Sequence, residues 1–470
     1  MYILLPTGEA TAEIVKAAAA GYDARVVVTG PIASFLTTGE LRSLIREEPY
    51  DLVIISGMCT ASFLEVERET GVPIYRGPRH AADLPLILPF LGELELSRSI
   101  PADDFLTARR RKEAFKTIAR REREADAEFI IRGVKIGGTS RIKVLAEIMD
   151  AHRHPDLRTN VEQWFAAGAD IVDLGFGFDA TPEDVRQCLA AVEDLERPIA
   201  IDTTDPDLIK AGLFRADLIL SLHEGNIPVI GEAIGQAGIA AVVIPGACSL
   251  GENLAAAEQE GVRCLIADPI LMPVGSGLVR SLQRFTSLPY PLFFGAGNVV
   301  ELLDADSIGI NALLAGMAME AGAAVIFSSE HSDKTQGSIA EMRRATEMMV
   351  LARDRPYPKD LGIDLLLLKE KRRRREPAPQ PERIMEALPM PSEISYDPCG
   401  NFRIGIEGKE IIAVINGCAV RGRRWVDVFH TILKNGDVSL LDHAAYLGAE
   451  LYKAELAIKF GRSYEQDGPF

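Results

Sequence analysis

Three aspartates stand at the ends of apolar, β-branched runs in the middle of this chain. Asp173 lies in Gly168-Ala-Asp-Ile-Val-Asp-Leu-Gly175, Asp202 in Ile199-Ala-Ile-Asp-Thr203, and Asp268 in Cys264-Leu-Ile-Ala-Asp-Pro269. A carboxylate closing a buried strand costs free energy unless it finds donors. A ligand presenting several N–H groups along one edge would supply them; capping or an ion pair inside the fold is the alternative. Asn298, in Gly295-Ala-Gly-Asn298, can both donate and accept, which suits a heterocycle edge or a helix cap. Ser328-Ser-Glu-His-Ser-Asp-Lys-Thr-Gln-Gly-Ser338 supplies hydroxyls, a glycine before a helix start, Lys334 as countercharge and His331. That combination is suited to a phosphate or pyrophosphate, and His331 could also move a proton. In His223-Glu-Gly-Asn226 the spacing is not diagnostic of a metal, so polar lining without a protein metal ligand is expected.

These residues need elements that bring them to one place. Apolar runs near 129–136, 170–175, 198–202, 217–222, 240–245, 263–268, 291–295 and 323–328 are each followed by a helix-compatible segment. Eight such repeats predict a closed parallel (β/α)8 barrel, whose strand C-termini open on the face where active sites are built. Thr181-Pro182 and Asp205-Pro206 mark two helix starts, with a cap before proline in the first turn.

Around the barrel the pattern changes. Tyr2–Leu5, Arg25–Thr29 and Asp51–Ser56 read as buried strands alternating with helices, a small doubly wound domain over 1–100. Its strand ends could form a nucleotide cleft, but no phosphate-binding glycine motif is present, and a structural or docking role is the expectation. Residues 101–127 read as a charged linking helix, 128–368 as the barrel, and 369–390 as a charged and Pro-rich linker. Residues 391–470 form a small α+β domain with two strands meeting at Glu407-Gly408.

Composition narrows the function classes. The net charge of −17 argues against a broad nucleic-acid surface. The six cysteines lack metal-ligand spacing, and the apolar run Leu365–Leu368 is far too short for a span. No signal pattern precedes the first strand, so a cytoplasmic protein with reduced thiols and no membrane partner is expected.

With these residues in place, 128–350 resembles the pterin-binding barrel family, which includes dihydropteroate synthases and methyltransferases acting on reduced folate or methanopterin. The resemblance rests on Gly168–Gly175, Ile201-Asp-Thr203, Ala267-Asp-Pro269 and His331. The whole chain is similar to dihydropteroate synthase-related proteins of the archaeal or methylotroph type, which carry a small α/β domain before the TIM barrel and a module after it. The resemblance implies that Asp202 and Asp268 hold the pterin edge, with Asp173 in the same pocket and His331 near a departing pyrophosphate. Ser221, Asn226, Asn298, Ser329 and Lys334 would complete the substrate site. It implies a transferase joining 6-hydroxymethyl-7,8-dihydropterin pyrophosphate to an arylamine, ribofuranosylaminobenzene phosphate, in tetrahydromethanopterin biosynthesis. No resident cofactor is implied, although magnesium could arrive with the pyrophosphate, and a homodimer is expected. The departures are specific. Ile136-Gly-Gly-Thr-Ser140 replaces an Asn-Val-Thr-Pro-like loop after strand one, Ser221 replaces an Asn, and Ala296-Gly-Asn298 replaces Ser-Arg-Lys. Asn298 is reminiscent of the methyltransferase branch, so methyl transfer with a corrinoid protein stays open, as does pterin binding without catalysis.

Overall fold

The computed structural model describes residues 1–92, 95–285, 288–355, 358–359, 361–368, 381–389 and 396–468. Most of the linker expected at 369–390, with its basic run, lies outside the described residues. The chain divides into two units, Met1–Pro379 and Gln380–Phe470.

The first unit opens with β1 (Ile3–Thr7), β2 (Ala24–Val28), β3 (Leu52–Ile55) and β4 (Ile74–Arg76), a parallel sheet in the order β2-β1-β3-β4. Both faces are buried, as parallel sheets require: Leu4, Val53 and Ile55 pack on one side, Ile3, Leu5 and Ile54 on the other. The strand-end loops close on one another. A Cβ on Gly57 would lie 2.5 Å from the carbonyl oxygen of Gly77, so only glycine fits. A charged helix, Ala102–Glu124, follows. It lays Ala114 and Ile118 against Val350 and Leu351.

Next come β5 (Phe129–Ile131) and β6 (Val134–Ile136), which pair antiparallel. This corrects the expected first barrel strand at 129–136. Arg132 and Gly133 both have positive φ, 41° and 81°, the backbone of a tight hairpin turn. Ile131 and Ile136 belong to the same buried cluster as Leu145, Ile171, Ile266 and Val325. The hairpin is therefore a plug in the N-terminal end of the barrel.

The barrel itself is β7 (Lys143–Ile148), β8 (Ile171–Gly175), β9 (Ile199–Asp202), β10 (Leu218–Leu222), β11 (Ala240–Val243), β12 (Leu265–Ala267), β13 (Leu292–Phe294) and β14 (Ala323–Ser328), closed by β14 pairing β7. Inward positions alternate along each strand: Leu145, Ile171, Leu218, Val242, Ile266 and Phe293 fill the interior. Outward residues such as Val144, Val172, Ile201 and Ile219 pack under the helices. Thr181 and Asp205 accept from the backbone N–H groups of Asp184 and Asp207, capping two of those helices. At the barrel floor Lys143, 2% exposed, pairs with Glu122 at 3.0 Å. This pins the charged helix to the barrel.

In the second unit β15 (Arg403–Glu407), β16 (Glu410–Ile415) and β17 (Cys418–Gly422) form an antiparallel meander. Ile404, Ile411, Ala413 and Ile415 pack against Val428, Ile432, Leu447 and Leu451 of the helices Trp425–Asn435 and Leu441–Phe460. Asp397 accepts from the N–H groups of Ser439 and Leu440 at 2.8 and 2.9 Å, tying the chain entry to the start of the last helix. All six cysteines are free. Among the described residues no helix is long and apolar enough to cross a membrane.

Candidate functional site

The inward alternation that fills the barrel with aliphatic side chains ends, at the C-terminal rim, in carboxylates. Glu147 on β7 and Asp173 on β8 are direct register partners, so their side chains leave the same face of adjacent strands. Asp202 stands one strand further on, paired with Gly175. One oxygen from each of Glu147, Asp173 and Asp202 lies within 4.8 Å of the others. Asp173 is 0% exposed, and neither of its oxygens has a hydrogen-bond partner.

Electrostatics follow from that crowding. Burial, reinforced by Asp202 and Glu147, pushes the Asp173 carboxyl far above the usual carboxylate range. Burial and then the charges of Asp202, Glu301 and Asp150 lift Glu147 to about 7. Asp202 is raised by burial, partly offset by the Ser221 hydroxyl, which donates to it at 2.7 Å. Asp268, at the end of β12, is pushed up to about 7 by burial, with the Ile270 N–H opposing and Asp202 adding. Carboxyls poised near neutrality can accept or release a proton at working pH.

Two strained backbones aim these groups. Ser221 has φ 66° and Ile270 has φ 60°, a region rare for L-residues and costly for a β-branched one. Each supplies a bond to the rim: Ser221 Oγ to Asp202, and Ile270 N–H to Asp268 at 2.8 Å. Strain held at both donors fits a site whose geometry is imposed by the surrounding fold.

The remaining expected residues differ in what they leave free for a ligand. Asn226, 1% exposed, spends its amide on the protein. Its Nδ2 donates to the carbonyls of Thr204 and Ser221, and its Oδ1 accepts from the His223 N–H. It holds the β10 turn in place and offers no free N–H to a ligand. Asn298 is exposed, and its Nδ2 reaches over Gly295, where a Cβ would sit 3.2 Å away. Lys334 is bound to the Leu303 carbonyl and to Asp304 at 3.0 Å.

The loop after β14 differs most from its reading as a vacant anion site. Glu301 fills it. Its carboxylate accepts from Ser329 Oγ at 3.1 Å, the His331 N–H at 2.8 Å, Ser332 Oγ at 2.6 Å and Thr335 Oγ1 at 2.8 Å. Burial alone would raise Glu301, yet these donors hold it below its ordinary value. The cradle binds an anion as its chemistry predicts, and that anion is the protein's own. The His331 ring stays exposed.

Sequence reasoning missed Glu147 and Glu301. Glu147 stands in Lys143-Val-Leu-Ala-Glu-Ile148, where two charged residues leave an apolar run of only three. The Ile136–Ser140 loop, expected after strand one, precedes β7 and so lies at the opposite end of the barrel. The segment that does follow β7 is Met149-Asp-Ala-His-Arg153.

Comparison with known proteins adds three findings. The family model PterinBD-DUF4346 matches residues 396–467. Among solved structures, a dihydropteroate synthase from Thermus thermophilus in complex with 6HMPPP is 20% identical, covering 44% of this chain and 92% of that one, with a TM-score of 0.36. The Coxiella burnetii synthase in complex with pteroic acid is 17% identical, covering 49% and 99%, with a TM-score of 0.38. The uncharacterized protein MJ0107 of Methanocaldococcus jannaschii is 32% identical, covering 99% of this chain and 98% of its own length. Matched from end to end at that identity, the chain belongs to the family of MJ0107.

Proposed function

We propose that the barrel mouth binds a reduced pterin and that the protein is a transferase of the dihydropteroate synthase kind. The observation that carries this reading is the pair Asp202 and Asp268, two part-buried carboxylates at the ends of β9 and β12, each oriented by one strained neighbour. They suit the N–H donors along one edge of a 2-amino-4-oxopterin, with Asp173 beneath them. The match of residues 396–467 to PterinBD-DUF4346 adds support.

In this reading the substrates are 6-hydroxymethyl-7,8-dihydropterin pyrophosphate and an arylamine, ribofuranosylaminobenzene phosphate. The amine nitrogen attacks the exocyclic methylene carbon as its C–O bond to pyrophosphate breaks. The new ammonium then releases its proton to water, which completes the exchange of pyrophosphate for the amine. Catalysis is positional and electrostatic, without a covalent nucleophile. Purified protein given both substrates releases pyrophosphate in step with condensed product; no release over the uncatalysed background would overturn the assignment.

A second reading has an observation in its favour. Glu301 already occupies the donors of the β14 loop, and Lys334 is paired with Asp304. A site that handles no pyrophosphate would have this character, and methyl transfer from a methylated pterin to a corrinoid protein is such a reaction. Demethylation of a methyl-pterin in the presence of cobalamin separates the two readings.

A further inference from the structure

We propose that Glu147, Asp173 and Asp202 together form a binding site for one hard divalent cation, of the magnesium or manganese class, at the mouth of the barrel. The donors are three carboxylates from three consecutive strands, one oxygen of each within 4.8 Å of the others.

Proximity of acidic groups alone would not carry this. The second observation is Asp173, fully buried, aimed into the cluster, and without a hydrogen bond to either oxygen. The contrast with other buried carboxylates of the chain is direct. Asp170 takes Arg141 at 2.6 Å and Arg343 at 3.0 Å, Asp217 takes Arg215 at 2.6 Å, and Glu450 takes Lys453 at 2.7 Å. Among the described residues Glu147, Asp173 and Asp202 enter no ion pair, so the fold supplies the anions and leaves the countercharge to come from outside. An unpaired buried carboxylate is among the most expensive groups a protein can hold.

The donor set selects the ion. Oxygen ligands alone favour hard cations over zinc or copper, which prefer imidazole and thiolate. Three carboxylates leave coordination positions for water or for a ligand's own oxygens, the usual arrangement for magnesium. Ser221 Oγ donates to one oxygen of Asp202 at 2.7 Å, the kind of orienting contact that metal-ligating carboxylates generally have. The cation's bearing on chemistry rests on the pterin reading: with Glu301 filling the β14 loop, a bound cation is what would draw a pyrophosphate into an acidic mouth.

The test is manganese binding to the full chain without any pterin, followed by electron paramagnetic resonance at pH 7.5. The proposal expects one bound ion per chain, displaced by magnesium. It expects affinity at least about tenfold weaker in Asp173→Asn and in Glu147→Gln, since loss of even an outer-shell partner typically costs that much. Circular dichroism establishes that each variant is folded, and two variants guard against the failure of one. No saturable manganese binding by wild type, or unchanged affinity in both folded variants, overturns the proposal. Pterin calorimetry on the same protein in a chelator keeps the two ideas apart. Cation binding without pterin binding sinks only the pterin reading, and pterin binding without cation binding sinks only this one.

Discussion

Replacing Asp268 with asparagine should make the protein more stable while removing its ligand. The structure sets the magnitude. Burial lifts Asp268 from 3.8 to about 7, and at about 1.4 kcal/mol per pH unit the folded state gives up about 4 kcal/mol to keep this group ionised. The sign follows from linkage: the native state binds the proton more tightly than the unfolded state, so stability falls as pH rises from 3.8 toward 7. Below that window wild type and Asp268→Asn should be equally stable, because both side chains are neutral. Above it the variant should lead, by up to about 4 kcal/mol, and the gap should level off. The asparagine carbonyl can still accept from the Ile270 N–H, which Asp268 takes at 2.8 Å, so the loop keeps its anchor. The chain has two tryptophans. Trp164 packs on the barrel core and Trp425 lies in the second unit, so urea titrations in a Trp425→Phe background, in chelator, report on the barrel. A gap that does not change with pH, or a variant less stable than wild type at pH 8, would show that the ionised Asp268 carboxylate costs the fold nothing.

Two further outcomes follow from the fold. Glu301→Ala strips the acceptor from Ser329, His331, Ser332 and Thr335, leaving buried Thr335 without that partner. It should lose about 2 kcal/mol, and inorganic phosphate should restore the melting temperature by entering the vacated cradle; no rescue would mean the loop collapses instead. Ile136→Ala should cost about 2–4 kcal/mol, because Ile136 is fully buried in the plug at the barrel floor. A cost near zero in the same urea assay would show that the plug does not support the barrel.

Seven of the eight barrel strands are legible in the sequence because their aliphatic runs are uninterrupted and end in polar groups. The first is not, for a physical reason. Lys143 and Glu147 both point inward from β7, one paired with Glu122 at the floor and the other in the rim cluster. A search for apolar runs therefore passes over that strand and takes the β-branched hairpin 14 residues upstream of Lys143, beginning at Phe129. No α-helix separates β6 from β7, as a barrel strand at 129–136 would require. The rim aspartates were readable from local pattern, since each closes its own strand. The role of Glu301 was not, because its donors lie about 30 residues on and meet it only in the folded chain. Likewise nothing local to Asn226 tells that both ends of its amide are spent on the backbone of the β10 turn.

A rim of carboxylates at the barrel mouth that grips a pterin should be visible in calorimetry with 6-hydroxymethyl-7,8-dihydropterin pyrophosphate, on wild type and on Asp268→Asn. Saturable binding of one molecule per chain to wild type, lost in the folded variant, is the predicted result. No binding to wild type, or equal binding to both proteins, would contradict it.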